Sequence, residues 1–152
     1  MNAKVPPDAV LLICGSLMWL LARLLPQYGF TLSGSALWSC LALLAGFTVL
    51  LSAKSALFRH NTTARPDRKS LQNARTLVTT GIYRYTRNPV YVSMALMLLA
   101  WMIFLENWLS ISGIIIFILF IDKYQILAEE EALERTFGEA YLQYKKRVRR
   151  WI

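Results

Sequence analysis

Long apolar runs separated by short polar stretches dominate the pattern of this chain. The runs cover residues 9–25, 35–53, 90–105 and 108–121. Because about 20 apolar residues cross the hydrocarbon core of a bilayer, the pattern predicts four transmembrane helices. The fourth run can be extended through residues 122–125 to Ala128. Asp122 and Lys123 would then lie either at membrane depth, facing a functional cavity, or at the interface within reach of water.

Two details of these runs predict how the helices pack and turn. Small residues recur every three or four positions in the second run, which favours close approach of a neighbouring helix. They are Ser35, Ser39, Ala42 and Gly46. Only Glu106 and Asn107 separate the last two runs, so residues 89–128 are expected to form a tight helical hairpin that turns on the non-cytoplasmic side.

The segment between the second and third runs is strongly basic. Residues 54–87 contain eight arginines and lysines but a single acid, Asp67, so the positive-inside rule predicts that this segment is cytoplasmic. With an even number of spans, both termini are then cytoplasmic as well. Gly81 and Pro89 predict a turn over residues 79–88, with a helix beginning near Pro89.

The net charge and the small number of metal-ligating residues argue against some functions, namely nucleic-acid binding and metal binding. The net charge is +8, but the basic residues flank apolar runs, which favours anionic lipid over nucleic acid as the partner. His60 has no further ligand at metal-binding spacing, so no metal site is expected. Cys14 and Cys40 both lie inside apolar runs, where cysteine behaves as a small hydrophobic residue.

Residues 129–152 have the pattern of an amphipathic helix that lies on the cytoplasmic membrane surface. The apolar positions recur at spacings of three and four, and Gly138 is a candidate interruption. These positions are Leu133, Phe137, Tyr141, Tyr144, Val148 and Trp151. The charged residues, Glu130 and Glu131 among them, are expected on the opposite face.

Glu129 lies four residues before Leu133, and the spacing therefore places this acid on the apolar, inward face. A carboxylate in that position needs a cationic partner. The partner is either an arginine of residues 54–87, in a structural ion pair, or a cationic ligand. Tyrosine rings can hold a cation and arginines can bind a carboxylate, so a zwitterionic ligand with an additional positive centre would suit the segment. The tyrosines are Tyr83, Tyr85 and Tyr91, and the arginines are Arg75, Arg84 and Arg87.

These motifs together resemble the isoprenylcysteine carboxyl methyltransferase and phospholipid methyltransferase superfamily of membrane enzymes. The similarity rests on residues 76–83, on Arg87-Asn88-Pro89-Val90-Tyr91, and on Glu129-Glu130 followed by the amphipathic segment, and it spans roughly residues 70–151. The resemblance implies an all-α integral membrane fold. Residues 1–53 would form two anchoring helices, residues 54–88 a cytoplasmic loop, and residues 129–152 a helix that covers a cofactor pocket.

The resemblance further implies S-adenosylmethionine as the cofactor. Arg75, Thr76, Leu77, Val78 and Tyr83 would line it, Asn88, Pro89 and Tyr91 would close over it, and Glu129 would hold its cationic side. Glu129 and Gln125 are the candidates to lie near the methyl acceptor. No metal would be involved.

Two positions depart from the superfamily pattern. Many members have histidine where this chain has Asn88, and prenylcysteine-specific members have arginine where it has Gln125. The expected activity is therefore methyl transfer to a small amphiphilic or lipid-like acceptor at the cytoplasmic face, with carboxylate, thiolate and amine all open as the methylated group. The alternatives are an NADPH-dependent enzyme similar to sterol reductases and a non-catalytic membrane adaptor that binds anionic lipid.

Overall fold

A computed structural model describes residues 5–59 and 76–152. Within these ranges the ordered elements are helices, and no strand occurs apart from an isolated bridge between Gly29 and Asn107. The prediction of an all-α chain is confirmed. The helices are α1 (Pro7–Leu24), α2 (Ser35–Arg59), α3 (Pro89–Leu105), α4 (Ile111–Ile121), α5 (Leu127–Phe137) and α6 (Glu139–Arg147).

Among residues 5–59 and 76–152, three stretches are long and apolar enough to cross a membrane: Pro7–Leu24, Ser35–Arg59 and Trp108–Phe137. The fourth predicted span corresponds to α3, an apolar helix that is shorter, at 17 residues. At 1.5 Å per residue it is about 25 Å long, close to the lower limit for a span. The part of the chain that the structure describes thus includes three to four helices able to span a bilayer.

The contacts divide the chain into two compact units. The first comprises Met1–Phe47 and Ser93–Gln125. In this unit α1 packs against α4 at Gly113, where an added Cβ would lie 3.3 Å from the carbonyl oxygen of Cys14. The small-residue prediction is confirmed at Gly46, where a Cβ would lie 3.1 Å from the carbonyl oxygen of Ser93 in α3. Backbones can approach this closely only where the side chain is absent.

The turn between α3 and α4 belongs to the first unit. Glu106 has a positive φ of 48°, and the Asn107 side chain accepts a hydrogen bond from the backbone nitrogen of Leu109 at 3.0 Å. The Asn107 amide also donates to the carbonyl oxygen of Leu25 at 3.1 Å. The Asn107 side chain therefore stabilises the turn through two hydrogen bonds, while Glu106 adopts the left-handed backbone conformation that the turn requires.

The second unit comprises Thr48–Val92 and Ile126–Ile152. Here two predicted boundaries are wrong. Helix α2 continues to Arg59 rather than ending at residue 53, because Ala53 and Leu57 extend its buried stripe by one turn. The C-terminal segment is two helices rather than one, since Gly138 adopts φ 53° between α5 and α6, and α6 ends at Arg147. Gly138 is the predicted interruption.

The fourth apolar run is extended as predicted, but through a change of helical geometry. Asp122–Ile126 form a π-helical turn between α4 and α5. Such turns add a residue to the helix and rotate the side chains that follow. Lys123 is exposed, and its ammonium lies 5.5 Å from the ring centre of Tyr124.

Candidate functional site

The loop that precedes α3 has a defined backbone geometry from Gly81 to Pro89. Gly81 has φ 64° and begins a single 3-10 turn, Gly81–Arg84. The carbonyl oxygen of Asn88 accepts from the backbone nitrogens of Tyr91 and Val92, at 3.0 and 3.1 Å, so Asn88 caps the start of α3. Pro89 occupies the first helical position, where its missing N–H is of no consequence.

Glu129 lies beside two of the predicted tyrosines. Its Oε1 accepts a 2.6 Å hydrogen bond from the hydroxyl of Tyr91, which is buried. Burial raises the pKa of Tyr83, and the negative charge of Glu129 raises it further. The structure therefore brings one carboxylate and two aromatic rings together in the second unit, an arrangement that suits a cation.

Glu130 is not on the exposed face, and the prediction that it points outward is wrong. It is 4% exposed, and its carboxylate binds three cations. The nearest distances are 2.8 Å to Arg87, 2.8 Å to Arg150 and 3.6 Å to Lys145. The physical reason is the helical repeat of 3.6 residues. A residue three positions before Leu133 lies on the inward stripe, and so does a residue four positions before it. Glu130 is three positions before Leu133, and the surrounding cations neutralise its charge.

Arg87 is the most buried cation of this network, with a side chain 9% exposed. It also donates to the hydroxyl of Tyr141 at 3.3 Å. Burial, together with the charge of Glu130, raises the pKa of that hydroxyl, while Arg87 lowers it to a smaller extent. Arg87 belongs to the segment from which an arginine partner of Glu129 was one of the two expectations, and its ion pair is with Glu130.

The C-terminal tail, residues 148–152, is bound to the loop before α3. The backbone nitrogen of Arg87 donates to the carbonyl oxygen of Arg149 at 3.0 Å. The carbonyl oxygen of Arg150 accepts from Thr86 Oγ1 at 3.2 Å and from Asn88 Nδ2 at 2.9 Å. The Arg150 guanidinium makes a two-pronged contact with Glu130. The tail therefore holds both Asn88 and the residue next to Glu129.

The other residues that the sequence predicted for the site lie in several different environments. Val78 is buried, Leu77 is half-buried and Thr76 is exposed, all in the second unit, while Arg75 and His60 lie outside the described residues. Tyr85 and Arg84 are exposed. Gln125 belongs to the first unit, where its Nε2 donates to the carbonyl oxygen of Val5 at 2.6 Å.

Sequence reasoning missed three residues of the cluster: Glu130, Arg150 and Tyr144. The hydroxyl of Tyr144 donates to the carbonyl oxygen of Tyr83 at 2.7 Å, which fixes the loop against α6. The inward spacing of Tyr144 was visible in the sequence, but its partner was not. The contact of Arg150 with Glu130 follows from the fold-back of the tail after Arg147, which no local pattern indicates.

The helices have the length and composition of a multi-pass membrane protein, and the second unit contains an acidic and aromatic cluster at the starts of two helices. Residues 34–140 match the family described as phospholipid methyltransferase. This chain belongs to that family.

Two relatives extend the comparison. An uncharacterised protein of Haemophilus influenzae is 51% identical over 63 residues, which is 41% of this chain and the whole of that protein. A protein-S-isoprenylcysteine O-methyltransferase of Schizosaccharomyces pombe is 39% identical over 75 residues, which is 47% of this chain but only 30% of the yeast protein. The predicted superfamily is confirmed, and the chain is similar to less than a third of the characterised relative.

Proposed function

We propose that this protein is an S-adenosylmethionine-dependent methyltransferase that acts on a small amphiphilic or lipid-like acceptor. One observation carries the proposal. In a chain of the phospholipid methyltransferase family, the Glu129 carboxylate accepts a 2.6 Å hydrogen bond from the Tyr91 hydroxyl and lies near Tyr83, whose pKa is raised by burial and by this charge. A carboxylate beside aromatic rings is a site for a cation.

The chemistry of the cluster fits the proposed cofactor. S-adenosylmethionine has a sulfonium cation, an amino-acid group and an adenosine. Glu129 would hold the cationic side, with the rings of Tyr83 and Tyr91 next to it. Thr76, Leu77 and Val78 would line the rest together with Arg75, and Asn88 and Pro89 would close over it. When bound, the cofactor supplies a methyl group activated by the positive sulfur.

Such a reaction does not require a covalent bond between the protein and the substrate. Methyl transfer is an in-line displacement, so the residues accelerate it by orienting donor and acceptor and by excluding water. A carboxylate or thiolate acceptor is already nucleophilic. An amine would first lose a proton, and Glu129, Asp122 and solvent are the candidates to take it.

We further propose that the site and both chain termini are cytoplasmic. The support is the excess of arginine and lysine in residues 54–87, which precede the site. Single cysteines placed near each terminus, in a variant that lacks Cys14 and Cys40, would react with a membrane-impermeant maleimide in inside-out vesicles and not in intact cells. The reverse labelling pattern would contradict this topology.

Titration of the purified protein with cofactor tests the function directly. In detergent or nanodiscs we expect saturable binding of S-adenosylmethionine and of its demethylated product, measured by calorimetry or thermal shift. NADPH serves as the comparison ligand. Stabilisation by NADPH without any response to the methyl donor would contradict the proposal and favour a reductase. Radiolabelled methyl donor and cell lipid extracts would then identify the acceptor.

A further inference from the structure

The C-terminal tail is bound to residues 86–88 mainly through its main-chain oxygens. Val148 follows α6 in an extended backbone conformation. The carbonyl oxygen of Arg149 then accepts from one backbone nitrogen of the loop, and that of Arg150 accepts from two side chains. Each such bond adds little net stability, because water can replace either partner, and ordering the tail costs conformational entropy. Docking of the tail is therefore an equilibrium that a bound ligand can shift.

Thr86 is the residue that joins the tail to the start of α3. It is only 3% exposed, and its hydroxyl takes part in two hydrogen bonds. Oγ1 donates to the carbonyl oxygen of Arg150 at 3.2 Å and accepts from the backbone nitrogen of Asn88 at 3.1 Å. One hydroxyl can do both, because it has a donor hydrogen and two acceptor lone pairs. Thr86 therefore links the position of the tail to the position of Asn88.

The docked tail leaves Asn88 able to bind a ligand. The side-chain amide of asparagine has two donor hydrogens and an acceptor oxygen. The 2.9 Å bond to the carbonyl oxygen of Arg150 uses one of the hydrogens. In the described part of the chain no side-chain or backbone group donates to Asn88 Oδ1, so this oxygen and the second hydrogen are left for a ligand. The tail thus orients the amide without using all of its hydrogen-bonding capacity.

The same tail also contacts the start of α5. The Arg150 guanidinium binds both oxygens of Glu130, with Nε at 3.0 Å and Nη2 at 2.8 Å. Glu130 directly follows Glu129, whose carboxylate is bound to Tyr91 in the first turn of α3. The tail therefore contacts both of the helix starts that the bond between Glu129 and Tyr91 joins.

We propose that docking of the C-terminal tail and binding of the methyl donor are coupled, with Thr86 as a positioning residue. The docked tail fixes the Asn88 amide and the first turn of α5 in the arrangement that binds the donor, and the bound donor in turn holds the tail in place. This inference rests on the proposed function, since the coupled ligand is the methyl donor. Coupling between two binding events is reciprocal, so each strengthens the other by the same factor.

Hydrogen exchange of the full-length protein in detergent measures one direction of the coupling. The informative amide is the N–H of Arg87, which donates to the carbonyl oxygen of Arg149 and is protected while the tail is docked. Saturating S-adenosylmethionine should slow its exchange. The matched control is the N–H of Tyr85, which donates to the carbonyl oxygen of Ile82 within the loop and should respond much less. Equal slowing of the two amides, or of neither, would overturn the coupling.

Three threonine variants measure the other direction, by calorimetry with S-adenosylmethionine. Thr86→Val keeps the shape but removes the hydroxyl, and it should weaken donor binding about fivefold, as expected for one neutral hydrogen bond. Thr86→Ser keeps the hydroxyl and should bind the donor nearly as wild type. Thr136→Val is the control, because it removes an exposed hydroxyl that donates within α5. Unchanged or tighter binding by Thr86→Val would contradict positioning by the tail.

The two measurements separate this inference from the proposed function. A wild-type protein that binds no methyl donor would refute the proposed function, and the coupling with it. A wild-type protein that binds the donor without any effect on the exchange of Arg87 would overturn the coupling alone. A purely structural role of Thr86 would lower the melting temperature of Thr86→Val and leave that exchange unaffected by the donor. The exchange measurement needs no substitution, so it decides the question even if Thr86→Val does not fold.

Discussion

The hydroxyl of Tyr91 donates a 2.6 Å hydrogen bond to Oε1 of Glu129, a residue 38 positions later in the chain. Tyr91 lies in the first turn of α3 and Glu129 in the first turn of α5. A bond of this length is typical of a charge-assisted O–H···O⁻ contact. It joins the starts of two helices within the second unit and fixes the carboxylate near Tyr83, whose pKa is raised by burial and by this charge.

Replacing Glu129 with glutamine should weaken binding of S-adenosylmethionine at least tenfold. A hydrogen bond to a charged group contributes about 1.5 to 3 kcal/mol, and the amide removes the charge while nearly preserving the shape. The demethylated product lacks the sulfonium, so its affinity should fall less. Calorimetry with both ligands measures the difference. Glu131→Gln, an exposed acid two positions away, is the control and should behave as wild type.

Replacing Glu130 with glutamine should instead destabilise the protein. The change leaves Arg87, whose side chain is 9% exposed, without its carboxylate partner. Breaking a buried ion pair on one side costs about 3 to 5 kcal/mol. Glu131→Gln is again the matched control, because the pair of Glu131 with Arg135 is exposed and 3.7 Å long, and such pairs contribute about 1 kcal/mol or less. Thermal unfolding in detergent compares the two, and equal melting temperatures would contradict the buried network.

The outcome at these two acids shows how far the sequence could predict the site. Helical spacing placed an acid on the inward stripe, and the loop motif, not the spacing, indicated that tyrosines such as Tyr91 would lie at the same site. Counting back from Leu133 by three or by four gives adjacent residues, Glu130 and Glu129. Periodicity alone cannot decide between them, since the burial of Glu130 depends on the cations that the fold brings to it.

The fold was predictable to a similar extent, and for similar reasons. The apolar runs located the helices, and Gly46 indicated a close helix contact, because both are local properties of the sequence. The end of α2 at Arg59 was missed since the buried stripe continues into a basic segment. The fold-back of residues 148–152 onto Thr86 and Asn88 depends on long-range hydrogen bonds to backbone carbonyls, which leave no pattern in the sequence.

The C-terminal tail should influence methyl-donor binding through Asn88 and Glu130. Arg150→Gln removes the two-pronged contact with Glu130, so we expect lower affinity for S-adenosylmethionine together with a modest loss of stability. Arg149→Gln is the control, since Arg149 is exposed and contributes its backbone oxygen, which the substitution retains. Ligand titration and thermal unfolding of the two variants test this. Identical behaviour would mean that the Arg150 side chain does not position the site.

Close packing at Gly46 gives a prediction for the first unit. In Gly46→Val the new Cβ would lie 3.1 Å from the Ser93 carbonyl oxygen and 3.3 Å from Met97 Cγ. Overpacking of this kind costs about 1 to 3 kcal/mol. Ala45→Val, one position earlier and exposed on the same helix, should be nearly neutral. Resistance to thermal unfolding in detergent measures both, and a stable Gly46→Val protein would contradict the contact between α2 and α3.

The hydroxyl of Tyr144 gives a prediction about alkaline pH. Burial raises the pKa of Tyr144 above its ordinary value of 10.0, and the nearby phenols of Tyr83 and Tyr141 raise it further. Above about pH 10 the unfolded chain loses this proton while the folded protein keeps it, so the stability that the buried phenol contributes is present below pH 10 and decreases as the pH rises. Phenylalanine cannot titrate.

At neutral pH, Tyr144→Phe should be less stable than wild type by about 0.5 to 1.5 kcal/mol, because the bond to the Tyr83 carbonyl oxygen is lost. The gap should narrow as the pH rises above 10, since only the wild type then has a phenol to keep protonated. Tyr85→Phe, at a residue 73% exposed, is the control and should follow the wild type throughout. Ionisation of lysines affects the stability of all three proteins equally, so it cancels when their stabilities are compared. A gap between Tyr144→Phe and wild type that stays constant from neutral to strongly alkaline pH would show that Tyr144 is not buried against the loop.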